Sequence, residues 1–208
     1  MTRAERASLL HGIYVVVNDS ERSVEIARAA LAAGVRVLQY RAKNGIVGER
    51  LRALVVAARE RGAIVLLNDD WKAAAAHGCD GTHLGPGDPG FADPAAVRAA
   101  LPECVVGLSC GSEGEMRAAH RAGADYAGVG SVYATVSKPD AGEPIGIDGL
   151  RRVATAASLA VAAIGGITID NVGEVRRTGV AMAAVVSEVE RAKDPAAAAR
   201  ALVRAWDA

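Results

Sequence analysis

Basic and amide side chains follow one of the first apolar runs of this chain. Gln39, Arg41 and Lys43 lie within five residues of one another. A guanidinium group binds phosphate through two parallel hydrogen bonds, and an ammonium group adds a compact positive charge. The spacing therefore suits a diphosphate, although a solvated loop explains these residues equally well when they are considered alone.

Acidic residues follow the next two apolar runs. Asn68, Asp69 and Asp70 come after one run, and Asp88 comes shortly after the other. Asp70 precedes Trp71 at the predicted start of a helix, where a carboxylate caps the free N–H groups. Asp69 and Asp88 then remain as carboxylates on neighbouring strands, and Mg²⁺ typically takes one or two carboxylates together with phosphate oxygens and water. Each acid alone is more often a cap or a turn residue.

Hydroxyl and glycine residues follow the later runs. Ser109 has no histidine closely after it, so a serine–histidine nucleophile is not supported. The segment 133–144 carries hydroxyls and one lysine that would suit closure over a phosphate, although a surface loop is an equal alternative. The strongest signal is a phosphate site that combines the glycines at 165–166 with the end of the last strand at 186–187, because barrel enzymes often bind phosphate there.

Apolar runs rich in branched residues alternate with amphipathic stretches along the whole chain, and this alternation predicts a parallel sheet with helical crossovers. Strands are predicted at 13–18, 35–41, 63–68, 81–84, 105–109, 126–131, 160–164 and 183–186. Helices are predicted at 21–33, 48–61, 70–77, 93–101, 113–122, 147–157, 170–178 and 195–207. Glycines end several of these helices in a repeated pattern that suits a left-handed cap: Gly34, Gly78, Gly123 and Gly179.

Eight strand–helix units in 208 residues favour an α/β fold, a single (β/α)₈ or TIM barrel over residues 1–208 with a short lead-in at about 1–11. An open doubly wound sheet is the alternative. The count of eight and the missing GxGxxG turn after the first strand disfavour it. In a barrel the carboxyl ends of the strands meet at one face, which would gather the polar residues described above.

Charge and composition limit the partners of the chain. Lysine plus arginine and aspartate plus glutamate each total 24, and aromatic residues make up 3%, so a nucleic-acid partner is not expected. The sequence contains no uninterrupted apolar stretch of about 18 residues that would span a membrane.

Cys79, Cys104 and Cys110 lack CxxC spacing and are expected to be neutral thiols in a reducing compartment. We expect a cytoplasmic enzyme acting on phosphorylated small molecules with a divalent metal. The sequence leaves a homo-oligomer open.

Seven segments at successive strand ends together resemble thiamine-phosphate synthase, in order and over essentially the whole chain. They are 39–43 (QYRAK), 68–70 (NDD), 81–85 (GTHLG) with Asp88, 107–109 (GLS), 135–138 (TVSK), 164–168 (IGGIT) and 185–187 (VVS). The resemblance implies a transferase that joins 4-amino-5-hydroxymethyl-2-methylpyrimidine diphosphate to 4-methyl-5-(2-phosphooxyethyl)thiazole and releases pyrophosphate. It also implies that Mg²⁺ is the cofactor and that both substrates are small molecules.

The resemblance assigns roles to individual residues. It implies Mg²⁺ ligation by Asp69 and Asp88. It implies catalytic cations at Arg41, Lys43 and Lys138, which would stabilise the departing diphosphate. For the pyrimidine substrate it implies Gln39, Tyr40, Arg41, Ala42, Lys43, Asn68, Ser109 and Lys138. For the thiazole phosphate it implies Thr135, Val136, Ser137, Gly166, Val186 and Ser187.

Three departures from the family pattern affect the implied site. Members of that family usually carry an acid where Ala42 stands, Gln-Glu where Pro86 and Gly87 stand, and threonine where Ser137 stands. The first two departures remove polar groups beside the implied diphosphate and metal sites. Ser137 retains a hydroxyl.

Two rival functions remain as alternatives. A thiazole tautomerase on the same fold would call for a histidine just after the serine of the fifth strand, where this chain has Gly111, and would not need Asp69 and Asp88. A non-catalytic binder of thiamine intermediates would keep only the phosphate site. The cations Arg41 and Lys43 speak against it, whereas Ala42 leaves it open.

Overall fold

Eight parallel strands form a closed barrel in which each strand pairs with the next and β8 returns to β1. The computed structural model describes residues 1–135 and 142–208. The strands are β1 Gly12–Asn18, β2 Val37–Arg41, β3 Ile64–Asn68, β4 Gly81–Leu84, β5 Val105–Ser109, β6 Tyr126–Val129, β7 Ala160–Ile164 and β8 Met182–Val185. The helices are α1 Arg3–Ala7, α2 Ser23–Ala32, α3 Gly48–Glu60, α4 Trp71–Ala76, α5 Pro94–Ala100, α6 Glu113–Arg121, α7 Gly146–Ala156, α8 Val172–Arg176, α9 Ser187–Glu190 and α10 Pro195–Asp207.

The predicted barrel is confirmed, and the differences lie at the ends of elements. The strand predicted at 126–131 ends at Val129, and the helix predicted at 170–178 is confined to Val172–Arg176. Two short helices, α1 and α9, were not predicted because four or five residues are too few to show a helical period. The four predicted helix-ending glycines all have positive φ, which only glycine adopts without strain: Gly34, Gly78, Gly123 and Gly179.

Two apolar layers hold the barrel together. Alternate strand residues such as Val16 and Leu66 point into the barrel and form one cluster. Their neighbours, such as Val15 and Leu67, point outward and pack against the helices in a larger cluster. Because strand side chains alternate between two faces, the register of each strand decides which polar residue at its end faces the barrel axis.

The amino-terminal segment closes the end of the barrel at which the strands begin. Leu10 is buried and packs with the interior cluster, and α1 supplies two arginines. Arg6 pairs with Asp80 at 3.0 Å, and Arg3 pairs with Asp125 at 2.7 Å. Both acids are buried and precede strands β4 and β6. This end is therefore closed by apolar packing and neutralised ion pairs.

The described residues contain neither a disulfide nor a helix long and apolar enough to cross a bilayer. Burial raises the pKa of the Cys79 thiol to about 12 and that of Cys110 to about 11. It also raises the pKa of the half-buried Cys104 thiol. All three are thus neutral thiols near pH 7, as predicted.

Candidate active site

The opposite end of the barrel gathers polar side chains at the last interior-facing position of successive strands. Asn18 follows Tyr14 and Val16 at alternate positions, and its register partner on β2 is Arg41. Asn68 of β3 is in register with His83 of β4 in the same way. The alternation that places apolar residues inside the barrel therefore turns these polar groups toward its mouth.

Arg41 is held in place by a short series of hydrogen bonds. Its Nη1 donates to Oδ1 of Asn18 at 3.1 Å, and Nδ2 of Asn18 donates to Oε2 of Glu190 at 2.9 Å. Neither Asn18 nor Glu190 was predicted as a site residue. Asn18 carried the same signal as Asn68, a polar residue ending an apolar strand, whereas Glu190 lies on a helix that was not predicted.

The side chains of Tyr40 and Ala42 do not face the mouth of the barrel. Tyr40 is fully buried in the outer layer, and its hydroxyl donates to the carboxylate of Asp19. Ala42 is half-buried and packs against the same outer layer. Because strand side chains alternate, Tyr40 and Ala42 direct their side chains toward the helices, and it is their backbone that lies between Gln39, Arg41 and Lys43.

Two carboxylates lie close together at the mouth. Nζ of Lys43 donates to Oδ2 of Asp69 at 2.5 Å, and the backbone N–H of Gly85 donates to Oδ2 of Asp88 at 2.7 Å. Asp69 has a φ of +70°, the only positive value at a non-glycine residue in the described part of the chain. A left-handed aspartate is uncommon, and such backbone conformations cluster at functional sites. This conformation places Asp69 beside Asp88 although Asp69 directly follows the interior-facing Asn68.

The electrostatics of this pair favour a bound cation. Burial raises the pKa of the Asp88 carboxyl, the neighbouring Asp69 raises it further, and Lys43 lowers it. Two carboxylates therefore share one lysine. Among residues 1–135 and 142–208, no group of three or more His, Cys, Asp or Glu residues is arranged to hold a metal. Such a pair fits a hard cation that fills its remaining positions with phosphate oxygens and water.

Asp70, predicted as a helix cap, does cap α4. Its Oδ1 accepts the backbone N–H of Ala73 at 2.9 Å. This confirms the division of the three consecutive polar residues: Asp70 serves the helix, while Asn68 and Asp69 are at the barrel mouth.

The loops after β7 and β8 form a second polar region. Gly165 and Gly166 have φ values of +101° and +64°, and a Cβ on Gly166 would lie 2.6 Å from the carbonyl oxygen of Ala134. Asn171 fixes this loop, since its Oδ1 accepts the N–H of Thr168 at 2.8 Å and its Nδ2 donates to the Gly166 carbonyl at 3.0 Å. The glycines thus let two loops approach each other closely.

Val186 and Ser187 lie directly after β8, and Ser187 begins α9. Thr135 is half-buried in the loop that contacts Gly166. Val136, Ser137 and Lys138 lie outside the described residues. The predicted phosphate-binding residues that are described therefore lie on the loops after β6, β7 and β8.

Gln39 and Ser109 are linked through the barrel interior. Gln39 is buried, and its Nε2 donates to the hydroxyl of Tyr14 at 2.5 Å. Ser109 is half-buried and lies 3.1 Å from Nε2 of His83. His83 thus contacts Ser109 from inside the barrel.

A (β/α)₈ barrel with its cations, carboxylates and hydroxyls gathered at the carboxyl ends of the strands has the architecture of a barrel enzyme. Residues 13–189 match the sequence profile of the family described as thiamine monophosphate synthase. The chain is 40% identical over 197 residues to a thiamine-phosphate synthase of Moorella thermoacetica, covering 91% of this chain and 93% of the relative. The chain belongs to this family.

Other relatives agree with this membership. The chain is 45% identical over 203 residues to the thiamine biosynthesis bifunctional protein ThiM/ThiE of Symbiobacterium thermophilum, and the match covers 96% of this chain and 41% of that longer protein. Its structure resembles that of the thiamine phosphate pyrophosphorylase from Pyrococcus furiosus, with a TM-score of 0.86 and 34% identity over 97% of both chains. The fold and the family expected from the sequence are thereby confirmed.

Proposed function

We propose that this chain is a thiamine-phosphate synthase, a transferase that joins 4-amino-5-hydroxymethyl-2-methylpyrimidine diphosphate to 4-methyl-5-(2-phosphooxyethyl)thiazole. The observation that carries the proposal is family membership over residues 13–189, together with a barrel mouth at which Lys43 lies beside a carboxylate pair and Arg41 is held by Asn18. The products are thiamine phosphate and pyrophosphate.

Asp69 and Asp88 would hold Mg²⁺ at the barrel mouth. Bound there, the ion would bring diphosphate oxygens to the site and offset their negative charge. The carboxylates fit this task because they lie close together, and among residues 1–135 and 142–208 their ion pair is that of Lys43 with Asp69. Release of the Lys43–Asp69 contact would also make the ammonium available to the diphosphate.

Arg41, Lys43 and Lys138 are proposed to stabilise the leaving diphosphate. When the C–O bond breaks, its electron pair leaves with the diphosphate and the pyrimidinylmethyl carbon becomes a cation that the amino-substituted ring delocalises. The thiazole nitrogen then forms the new C–N bond with that carbon. Cations placed near the departing oxygens would lower the energy of the transition state for C–O bond cleavage. No side-chain nucleophile is then required.

The remaining residues are proposed to orient the two substrates. Gln39, Asn68 and Ser109 serve the pyrimidine side, with the Tyr40 and Ala42 backbone beside them. The thiazole phosphate would bind to Thr135, Val136, Ser137, Gly166, Val186 and Ser187. Backbone N–H groups freed by glycine suit an anion, and closure of the segment after β6 would keep water from the cation.

The proposal also covers the setting of the enzyme. Its neutral thiols and phosphorylated substrates favour the cytoplasm, and both partners are small molecules rather than nucleic acid or membrane.

The experiment that tests the function measures pyrophosphate release and thiamine phosphate by mass, with both substrates present and with Mg²⁺ either added or removed by EDTA. Metal-dependent formation of both products in equal amounts is the expected result. Omission of either substrate provides the control. Binding of the thiazole phosphate in calorimetry with no product under any condition would contradict the proposal and favour the non-catalytic binder.

A further inference from the structure

Five polar side chains form a continuous series of hydrogen bonds across the interior of the barrel, which we call the interior relay. It runs Gln39–Tyr14–Tyr126–His83–Ser109. The Gln39 amide lies 2.5 Å from the Tyr14 hydroxyl, which lies 3.0 Å from the Tyr126 hydroxyl. The Tyr126 hydroxyl lies 2.8 Å from Nδ1 of His83, and Nε2 of His83 lies 3.1 Å from Oγ of Ser109. Gln39 and Ser109, the two ends, are both proposed to serve the pyrimidine substrate.

The chain makes room for this relay with glycines inside two central strands. A Cβ on Gly107 would lie 2.1 Å from the Tyr126 ring, and a Cβ on Gly128 would lie 2.8 Å from the His83 ring. Glycine weakens a strand and commonly marks the close approach of another group. The ring of His83 stacks on Tyr126 with centroids 5.5 Å apart. The relay therefore follows from a specific choice of residues on three adjacent strands.

Both tyrosines remain neutral hydroxyl groups. Tyr14 is 2% exposed and Tyr126 is fully buried. Burial raises the pKa of each phenol above its ordinary value. Each hydroxyl consequently has one hydrogen to donate and lone pairs to accept, and a neutral imidazole has one N–H and one acceptor nitrogen.

Counting hydrogens along the relay gives it one direction. Gln39 donates to Tyr14, so the hydrogen of Tyr14 goes to its remaining described partner, Tyr126. Tyr126 then directs its hydrogen to Nδ1 of His83, 2.8 Å away, and in a neutral imidazole this puts the ring hydrogen on Nε2. Nε2 donates to Ser109, whose own hydrogen is directed away from the relay. The opposite direction would require Gln39 to present its carbonyl oxygen to Tyr14.

We propose that Tyr14 and Tyr126 are positioning residues that hold His83 in the Nε2–H form and thereby make Ser109 a hydrogen-bond donor to the pyrimidine substrate. This inference rests on the proposed function for the identity of the substrate. The ring nitrogens of an aminopyrimidine and the oxygens of its diphosphate accept hydrogen bonds, whereas its amino group donates. A serine fixed as a donor therefore distinguishes acceptor atoms from the amino group, and it does so through residues that do not contact the substrate.

The first test is spectroscopic and does not depend on turnover. Long-range ¹H–¹⁵N NMR correlations of the four histidines, with His83 assigned by its loss in His83→Gln, report which ring nitrogen carries the hydrogen. We expect the Nε2–H form in the wild-type chain and a mixture of forms in Tyr126→Phe. The Nδ1–H form in the wild-type chain would overturn the proposal even if the enzyme makes thiamine phosphate.

The second test is kinetic and uses Tyr126→Phe, Ser109→Ala and the double variant. Removing the Tyr126 hydroxyl is expected to reduce kcat/KM for the pyrimidine diphosphate about tenfold, the value of one well-placed hydrogen bond. The KM for the thiazole phosphate should remain unchanged. In the Ser109→Ala background, Tyr126→Phe should cause no further loss, because both changes remove one contact.

Thr82→Val provides the matched control. Thr82 is buried on the same strand as His83, and its hydroxyl donates to the Leu67 carbonyl at 2.9 Å in the outer layer. The Thr82→Val variant therefore lacks a buried hydroxyl of β4, but the interior relay is unchanged. Its kinetics should match those of the wild type. Equal losses in Thr82→Val and Tyr126→Phe, or independent losses in the Tyr126–Ser109 double variant, would overturn the proposal. Failure of the wild-type chain to make thiamine phosphate would refute the proposed function instead.

Discussion

The two ends of the barrel both carry a pair of aspartates, but they treat the negative charge in opposite ways. Where the strands begin, buried Asp80 pairs with Arg6, and Asp125 pairs with both Arg3 and Arg98. Backbone N–H groups add to this, since Val65 donates to Asp80 at 3.1 Å and Val106 donates to Asp125 at 2.8 Å. These acids have complete sets of partners.

Where the strands end, Asp69 and Asp88 face each other and share Lys43. The end with excess arginine is suited to stability, because a buried charge is tolerated only when it is paired and hydrogen-bonded. The end where Asp69 and Asp88 lie together is suited to a ligand, because a bound cation can offset the charge of two neighbouring carboxylates. The comparison agrees with the general division of barrel enzymes into a stabilising face and a reactive face.

The largest effect is expected when a charge is removed from the stabilising face, the end at which the strands begin. Asp125→Asn should lower the free energy of unfolding by about 3 kcal/mol, because Arg98 and Arg3 then lose their buried partner. Urea denaturation followed by circular dichroism measures the change. The matched control Asp148→Asn removes an ion pair from a side chain that is 84% exposed and should leave stability unchanged. A stable Asp125→Asn with impaired catalysis would reverse the assignment of the two ends.

Removing a charge from the reactive face should impair catalysis and leave the stability of the fold unchanged. Asp69→Asn should reduce turnover at least about 100-fold, since it removes half of the proposed carboxylate pair from the metal and the leaving group. Asparagine tolerates the left-handed backbone of this position, so folding should be preserved. Titration of activity with Mg²⁺ gives the metal dependence. Asp70→Asn, which keeps a helix cap, is the control. Unchanged kinetics at limiting Mg²⁺ would remove Asp69 from the metal site.

The second polar region of the reactive face should show a smaller and more selective effect. Ser187→Ala should raise the KM for the thiazole phosphate about tenfold, the usual value of a hydrogen bond to a charged group. The KM for the pyrimidine diphosphate provides an internal control and should stay constant. Initial rates over a grid of both substrate concentrations separate the two constants. An effect on the pyrimidine substrate alone would mean that the phosphate site is misplaced.

The smallest expected effect concerns the metal-free chain. The pKa of Asp88 is raised above the ordinary 3.8, so the folded state binds this proton more tightly than the unfolded state. The stability from that proton is present below pH 3.8 and is lost as pH rises through the raised pKa, because the carboxylate then becomes charged in a partly buried position beside Asp69. Asp88→Asn should therefore raise the free energy of unfolding in EDTA slightly at neutral pH. Denaturation curves from neutral pH toward pH 3.8 should show this gain declining. A gain independent of pH would exclude charge as its cause.

The sequence predicted the barrel well because its evidence was repeated eight times. Each strand showed an apolar run, and four helices showed the same terminal glycine signal. Positions at strand ends were predictable for the same reason, as with Asn68 and Ser109. Asp70 was assigned to a cap because one residue before Trp71 is the position that capping requires.

Other features depend on long-range geometry that one sequence does not display. The outward direction of Tyr40 follows from strand alternation, but only once the interior register of β2 is known. The interior relay joins residues up to 112 positions apart, so no local pattern announces it. Glu190 reaches the site from a four-residue helix that is too short to have a period. Aspartate tolerates the left-handed backbone found at Asp69, but nothing local in the sequence marks this position as left-handed.

The two strand glycines at positions 107 and 128 limit which substitutions the barrel accepts during evolution and in design. A larger side chain at either position would displace Tyr126 or His83, even though neither glycine is proposed to touch a substrate. A designer who grafts Ser109 and His83 onto another barrel must also graft the empty space on the next two strands. In descendants of this chain, replacement of Tyr126 by a small residue should release Gly107 from its constraint, so the five positions of the relay and these two glycines should vary as a unit.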